Sequence, residues 1–336
     1  MENTPDSPDV TRAPATTTQV GGKPKAGVGT VIAGRYKLLA DIGYGGMGRV
    51  FRALDTKHDE LRALKIMHNH LQSDATNVKR FEREAELALG LKHENIVEVI
   101  DFGLTETGEP FIVMELLKGE SLDDLLKHET RLPLDLFAIL FPQICEGLSY
   151  SHASNVVHRD IKPSNIMIID SQEGEQIKIV DFGIARVCGT TGVVCPTSST
   201  ILKAQPESDK DLSPEQREEL QRLTQPGEIF GSPLYMSPEQ CQGEEADCRS
   251  EVYAMGCMMF ESLTGKPPLK GENAMDTLLL RINEEAPAIN KVVPGVTFPD
   301  TLEAVVAKAL KRDPNERYQE VYELNAALNS VFSQTV

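Results

Sequence analysis

The chain has 336 residues, 40% of them apolar and 25% charged, with a formal net charge of −17. That composition belongs to an ordinary soluble globular protein, long enough for two lobes or two domains and too short for three. The acidic excess argues against nucleic acid or an anionic membrane as the main partner.

Residues 1–33 are rich in Pro, Thr, Gly and Asp without apolar periodicity, and are expected to form a disordered tail. Strand-like alternation begins at "YKLLADI" (36–42), breaks at a glycine cluster, and resumes in "RVFRALD" (49–55) and "LRALKIM" (61–67). A helical pattern covers about 77–91, and "IVEVIDFG" and "FIVME" read as two further strands. From "SLDDLL" onward the pattern is mostly helical. Ser121 and Asp124 open a capping-box start, and a long helix follows Pro133 to about Ala153. "IMIID" and "IKIVD" are short β runs on either side of Gly174. Helices are predicted near 248–264, 274–285, 301–311 and 318–331. A small strand-rich half therefore precedes a larger helical half.

The stretch 187–228 breaks this plan. It is long, rich in hydroxyls, and contains one helix start at Ser213, Pro214 and Gln216. A loop of this length inside a compact domain is usually functional or disordered.

No apolar run approaches the length of a membrane-spanning helix. "MENTPDSPDVTRAP" has neither the basic start nor the apolar stretch of a secretory signal, so a cytoplasmic protein is expected. None of the cysteines Cys145, Cys188, Cys195, Cys241, Cys248 and Cys257 falls in a C-x-x-C pair. Cys145 and Cys257 lie in apolar helical patterns, where Cys packs as a small hydrophobe. The equal spacing of Cys188/Cys195 and Cys241/Cys248 is not a compact zinc pattern, so free thiols are expected.

The chemistry is concentrated in a few turns. "GYGGMG" (43–48) lies between two strands, so its glycines cap a hairpin whose backbone N–H groups can approach phosphates. In "LRALKIM" the residues Leu61, Ala63, Lys65 and Met67 share one face, and a lysine on an apolar face needs an opposite charge. On the following helix Glu84 falls on the stripe of Phe81, Ala85 and Ala88, whereas Glu86 points away. A Lys65–Glu84 ion pair accounts for both. In "HRDIKPSN", Asp160 is suited to accept the proton of a reacting hydroxyl, and Lys162 to steady a phosphoryl charge. Asn165, with Asp181 of "IKIVDFG", makes an oxygen-donor pair for Mg²⁺.

Together with "GSPLYMSPEQ" and "RDPNERY", these stretches resemble the protein Ser/Thr kinases, in their bacterial eukaryotic-like (Hanks-type) branch, over about 36–332. The resemblance implies an α+β, bilobal protein-kinase fold, with a small antiparallel-sheet N-lobe carrying one main helix and a larger, mainly helical C-lobe. The implied segments are 34–117 for the N-lobe and hinge and 118–334 for the C-lobe, with a long activation-segment insert at about 187–228. The cofactors implied are ATP and Mg²⁺, with Mn²⁺ as an alternative, and the substrates are protein Ser/Thr hydroxyls. By position, Gly43, Gly45 and Gly48 would cover the phosphates, and Lys65 would hold the α- and β-phosphates while paired with Glu84. Asp160 would orient the hydroxyl, Lys162 would contact the γ-phosphate, and Asn165 and Asp181 would bind the metal. Val50, Ala63 and Met167 would enclose adenine, with Met114 behind it and the backbone of Glu115 to Leu117 along its edge. Glu239 would pair with Arg317.

The chain departs from the family at Ser232, where the family has Thr, and at Glu251, where the family has an Asp that braces the catalytic loop. The second departure puts the rigidity of that loop in question. Arg159 would pair with a phosphate on the activation segment, and Thr224 is the first choice for its carrier. The threonines of "ATTTQV" (15–20) could dock a phosphothreonine-reading partner once phosphorylated, an inert linker being the plainer reading. A catalytically weak pseudokinase acting as a nucleotide-binding scaffold and a small-molecule phosphotransferase are the competing functions. "GSPLYMSPEQ", which resembles a peptide-docking segment, speaks against the latter.

Overall fold

The computed structural model of the chain describes residues 26–45, 48–67, 75–171, 174–182 and 233–333. The predicted insert with its Ser213 helix, Thr224, Ser232, Cys188, Cys195 and the "ATTTQV" threonines lie outside the described residues.

The first half is an antiparallel sheet in the order β1-β2-β3-β4-β6-β5. Its strands are β1 (Val31–Ile32), β2 (Tyr36–Gly45), β3 (Gly48–Asp55), β4 (Glu60–Met67), β5 (Val99–Leu104) and β6 (Pro110–Glu115). Successive side chains of a strand point to opposite faces. Leu64 and Ile66 of β4, with Phe111 and Val113 of β6, therefore join Tyr36, Leu38 and Phe51 in one core. Met67 and Ile112 face the other way, onto Phe81, Ala85 and Ala88 of helix α1 (Ala75–Leu89). Lys65 lies between Leu64 and Ile66 on the strand, so it shares the face of Met67, and it is 6% exposed.

The tail expected over 1–33 is corrected at its inner edge. Val31 and Ile32 pair with β2, and Ile32 is buried in the first core. The short strand is held by these pairings although its own sequence lacks alternation. The long strands lie where the alternation predicts them, each within a few residues.

In the second half, β7 (Glu120–Ser121), β8 (Ile166–Ser171) and β9 (Gly174–Ile179) form a small antiparallel sheet. The helices are α2 (Leu122–Glu129), α3 (Leu134–Ala153), α4 (Pro238–Cys241), α5 (Cys248–Thr264), α6 (Ala274–Asn283), α7 (Asp300–Ala309) and α8 (Val321–Ser333). Ser121 caps α2 by accepting the Asp124 N–H, as predicted. The sequence of α5, "EVYAMGCMMFESL", has no polar face, as suits a helix enclosed on all sides. It is buried from Ser250 to Phe260 and packs against α3, α7 and α8. It stops at Gly265, whose φ of +75° is left-handed and where a Cβ would stand 2.6 Å from the Thr130 carbonyl oxygen.

The two halves meet behind the cleft. Val97 N–H donates to Ile179 O (3.0 Å), Ile179 N–H donates to Asn95 O (2.9 Å), and Lys178 Nζ reaches Glu115 Oε1 (2.7 Å). These bonds fix the end of β9, and with it Asp181, against the strands that carry Lys65.

Candidate active site

An open cleft of about 1060 Å³ lies between the two halves. Gly43, Gly48, Val50, Ala63, Lys65, Met114, Glu115, Leu117, Met167, Asn165, Lys162 and Asp181 all line it. Of the predicted site residues, Gly45 ends β2 at the hairpin, and Asp160 joins the cleft through Lys162, whose Nζ is 2.6 Å from Asp160 Oδ2.

The glycines differ in what the fold asks of them. At Gly48 a Cβ would stand 2.3 Å from the Ile66 carbonyl oxygen, so the hairpin can lie against β4 only with glycine there. At Gly43 a Cβ would make an ordinary 3.6 Å contact with Val50, so nothing in the fold itself requires glycine. That bare backbone faces the cleft.

The catalytic loop is held from three sides. His158 is fully buried; its Nε2–H donates to Val180 O at 2.8 Å, and its Nδ1 accepts the Asp160 N–H at 3.3 Å. The two bonds together fix a neutral Nε2–H tautomer. Asn165 Nδ2 donates to the Asp160 carbonyl at 2.7 Å, and Asn165 O accepts the Val180 N–H at 2.9 Å. From below, Glu251 Oε1 accepts the Arg159 N–H at 2.6 Å, while Oε2 accepts from His152 Nε2 at 2.6 Å. The extra methylene of Glu251 therefore does not cost the loop its brace. Arg159 and Asp181 adopt left-handed φ values of +68° and +62°, a conformation non-glycine residues keep only where their surroundings over-determine it.

The predicted Lys65–Glu84 pair is corrected. Lys65 Nζ lies 2.8 Å from Asp181 Oδ1, and Glu84 Oε1 lies 3.6 Å from Arg159 Nη1. A lysine this buried needs a carboxylate in contact. The left-handed turn at Asp181 supplies one from below, while α1 presents Glu84 to the catalytic loop. Burial pushes the Asp181 carboxyl up, but the charge and hydrogen bond of Lys65, with the charge of Lys162 adding to them, outweigh it and lower its pKa. Burial also opposes charge on His152, yet Cys248 and Glu251 overcome it and push the imidazole up to about 10.

The Glu239–Arg317 pair forms as the resemblance implies, with contacts of 2.7 and 2.8 Å. Along the hinge, the Glu115 N–H donates to Glu98 O, whereas the Leu117 N–H takes no partner among the described residues. Sequence reasoning missed three features: Val97 on the cleft wall, the Glu115–Lys178 tie, and Phe182, whose ring lies 4.7 Å from that of His158. Lys178 sits between buried Ile177 and Ile179, so alternation turns it outward, but nothing local names its partner.

Comparison with known proteins agrees with this geometry. The protein kinase domain family matches residues 36–207 and 208–332. Serine/threonine-protein kinase pkn3 of Myxococcus xanthus is 34% identical over 305 residues, covering 90% of this chain and 51% of that protein. Serine/threonine-protein kinase PknB of Mycobacterium leprae is 33% identical over 305 residues, covering 90% of this chain and 44% of that protein. The chain thus spans about half the length, or less, of these curated relatives. Among solved structures, the kinase domain of Mycobacterium tuberculosis PknI superposes with a TM-score of 0.65 at 23% identity, covering 91% of this chain and 99% of that one.

Proposed function

The chain belongs to the protein kinase family, and we propose that it transfers the γ-phosphoryl group of ATP to serine and threonine hydroxyls of proteins, its own among them. One observation carries this reading: Lys65, Lys162, Asn165 and Asp181 line a single cleft, with Asp160 in contact with Lys162. That is a proton acceptor, two cations and an oxygen-donor pair around one space.

The donor set fits Mg²⁺. Asn165 gives its amide N–H to the Asp160 carbonyl, which leaves its amide oxygen for a hard cation, and Asp181 adds a carboxylate held below its usual pKa. Once bound, Mg²⁺ would neutralise phosphate charge. Asp160 would accept and orient the proton of the substrate hydroxyl, with Lys162 beside it to meet the phosphoryl charge. Gly43 would admit phosphates close to the β2–β3 backbone, and Lys65 would hold them. Val50, Ala63 and Met167 would enclose the adenine, with the Leu117 N–H at its edge. The catalytic unit is taken as 34–117 for the N-lobe and hinge and 118–334 for the C-lobe.

A reducing, cytoplasmic setting is part of this reading; among the described residues Cys145, Cys248 and Cys257 form no disulfide. Among the described residues no helix is long and apolar enough to cross a membrane.

The test is transfer of label from ATP to a generic protein substrate and to the chain itself. Asp160→Asn is expected to lower transfer by about 10²–10⁴-fold while nucleotide still binds. Binding without transfer in the unaltered protein would instead make it a nucleotide-binding scaffold. Mapping the label tests the tail: a phosphothreonine-reading partner requires phosphate within 15–20, and its absence there removes that partner.

A further inference from the structure

His152 ends α3 with its side chain only 4% exposed. Its Nε2 bonds to Glu251 Oε2 at 2.6 Å, but its Nδ1 is shut away from solvent and, among the described residues, has no partner in full hydrogen-bond geometry, although the Cys248 sulfur lies beside it. A buried polar atom left in this way needs an explanation. Two other side chains converge there from separate elements: Cys248, the first residue of α5, and Glu320, just before α8. One ligating atom from each of His152, Cys248 and Glu320 falls in a group whose members all lie within 4.8 Å of one another.

We propose that His152, Cys248 and Glu320 form a zinc site on the Glu251 side of the catalytic loop, away from the residues that line the nucleotide cleft. Imidazole, thiolate and carboxylate together suit a borderline-soft ion, whereas Mg²⁺ prefers a shell of oxygens. Ligands on a tetrahedral zinc stand about 3.3–3.8 Å apart, given bond lengths near 2.0–2.3 Å. The three groups thus need to close only slightly, and the exposed Glu320 is free to swing. Cys248 is half-buried and Glu320 exposed, which leaves an entry path and a fourth position for water.

The surroundings of His152 match those of a metal-bound histidine. Such a residue commonly donates its second ring N–H to a carboxylate that fixes the tautomer and raises its basicity. Glu251 occupies that position, and its other oxygen holds the Arg159 N–H next to Asp160. A cation on Nδ1 would replace a proton and fix His152, and through Glu251 it would stiffen the loop that carries Asp160. The site uses none of the residues assigned to Mg²⁺.

The experiment uses the whole chain, stripped by a chelator and then saturated with Mg²⁺ so that the oxygen-donor site is filled. Zn²⁺ is titrated against a chromophoric competitor, and Co²⁺ is titrated while thiolate-to-cobalt charge-transfer absorption is recorded. We expect one Zn²⁺ per chain. Cys248→Ser should weaken it by at least about 100-fold and remove the cobalt band, and Glu320→Gln should weaken it about 10-fold. A Cys188→Ser/Cys195→Ser double variant should bind as the unaltered chain does. Equal Zn²⁺ affinity in the unaltered chain and in Cys248→Ser, or a cobalt band lost only in the double variant, would overturn the proposal. Should Cys248→Ser fail to fold by circular dichroism, the exposed Glu320→Gln decides alone: unchanged affinity rejects the site.

Discussion

The large lobe and the cleft each contain ion pairs, and the two regions treat them in opposite ways. In the large lobe every donor of Arg317 is taken. Its Nε donates to Lys311 O, its Nη1 to Glu239 Oε1 and Arg249 O, and its Nη2 to Glu239 Oε2 and Arg312 O. The guanidinium also lies 4.9 Å over the Tyr253 ring, and Glu239 accepts a further bond from Ser250. In the cleft, among the described residues, Lys65 has Asp181, Glu84 has a single 3.6 Å contact to Arg159, and Arg159 Nε is buried without a partner. A saturated pair has nothing to gain from a new partner. An unsaturated one exchanges at small cost, and the cleft has four charged groups arranged for exchange.

The largest effect expected follows from breaking the saturated pair. Arg317→Met leaves the Glu239 carboxylate buried and unpaired, which should lower the unfolding free energy by about 3–5 kcal/mol. The readout is the urea midpoint at unchanged slope. A loss below about 1 kcal/mol would mean that the pair is as loose as those in the cleft.

Acid should dissolve the same pair from the other side. Burial pushes the Glu239 carboxyl up, but hydrogen bonds from Arg317 and Ser250 outweigh it, so its pKa is lowered. A carboxyl depressed in the folded state contributes stability above its unfolded pKa of about 4.3 and loses it as pH falls through the folded value. The stability gap between the unaltered chain and Glu239→Gln should therefore hold steady from pH 7 to about 5 and close below about 4. A gap that stays constant down to pH 3 would show that Glu239 carries no depressed pKa.

The same contrast sets what could be read beforehand. Alternation in "LRALKIM" put Lys65 on a buried face, because a strand's period is fixed by its backbone, and the resemblance paired Glu239 with Arg317. The actual partner of Lys65 was not legible. It depends on the φ of +62° at Asp181 and on where α1 lies against the sheet, and both are set by tertiary packing. Glu251 raised a doubt that only coordinates could remove, since whether its longer side chain still meets the Arg159 N–H depends on tertiary placement, and it does so at 2.6 Å. The two-residue strands β1 and β7 carry too little pattern to be seen. The convergence of His152, Cys248 and Glu320 joins three elements that no local spacing relates.

On the cleft side, catalysis and stability should separate. If phosphate on the activation segment draws Arg159 away, Glu84 becomes free to take Lys65, and the working state depends on that exchange. Glu84→Gln should then lower turnover by about 10- to 100-fold through misplacement of Lys65, while stability changes by less than about 1 kcal/mol. Label transfer and urea unfolding on the same preparation decide it. A variant with full turnover would assign Glu84 no part in positioning Lys65.

The smallest effect is the response of the two pairs to salt. Glu84 and Arg159 keep 27% and 33% of their side-chain surfaces exposed, so counter-ions reach them, whereas the Arg317 side chain is fully enclosed. A double-mutant cycle on Glu84 and Arg159 should give a coupling of at most about 1 kcal/mol at low ionic strength, falling toward zero near 1 M salt, where the screening length is about 3 Å. The Glu239–Arg317 coupling should barely move over the same range. If the cleft coupling also ignores salt, the Glu84–Arg159 contact is shielded from solvent, and the exchange argued from its exposure has no basis.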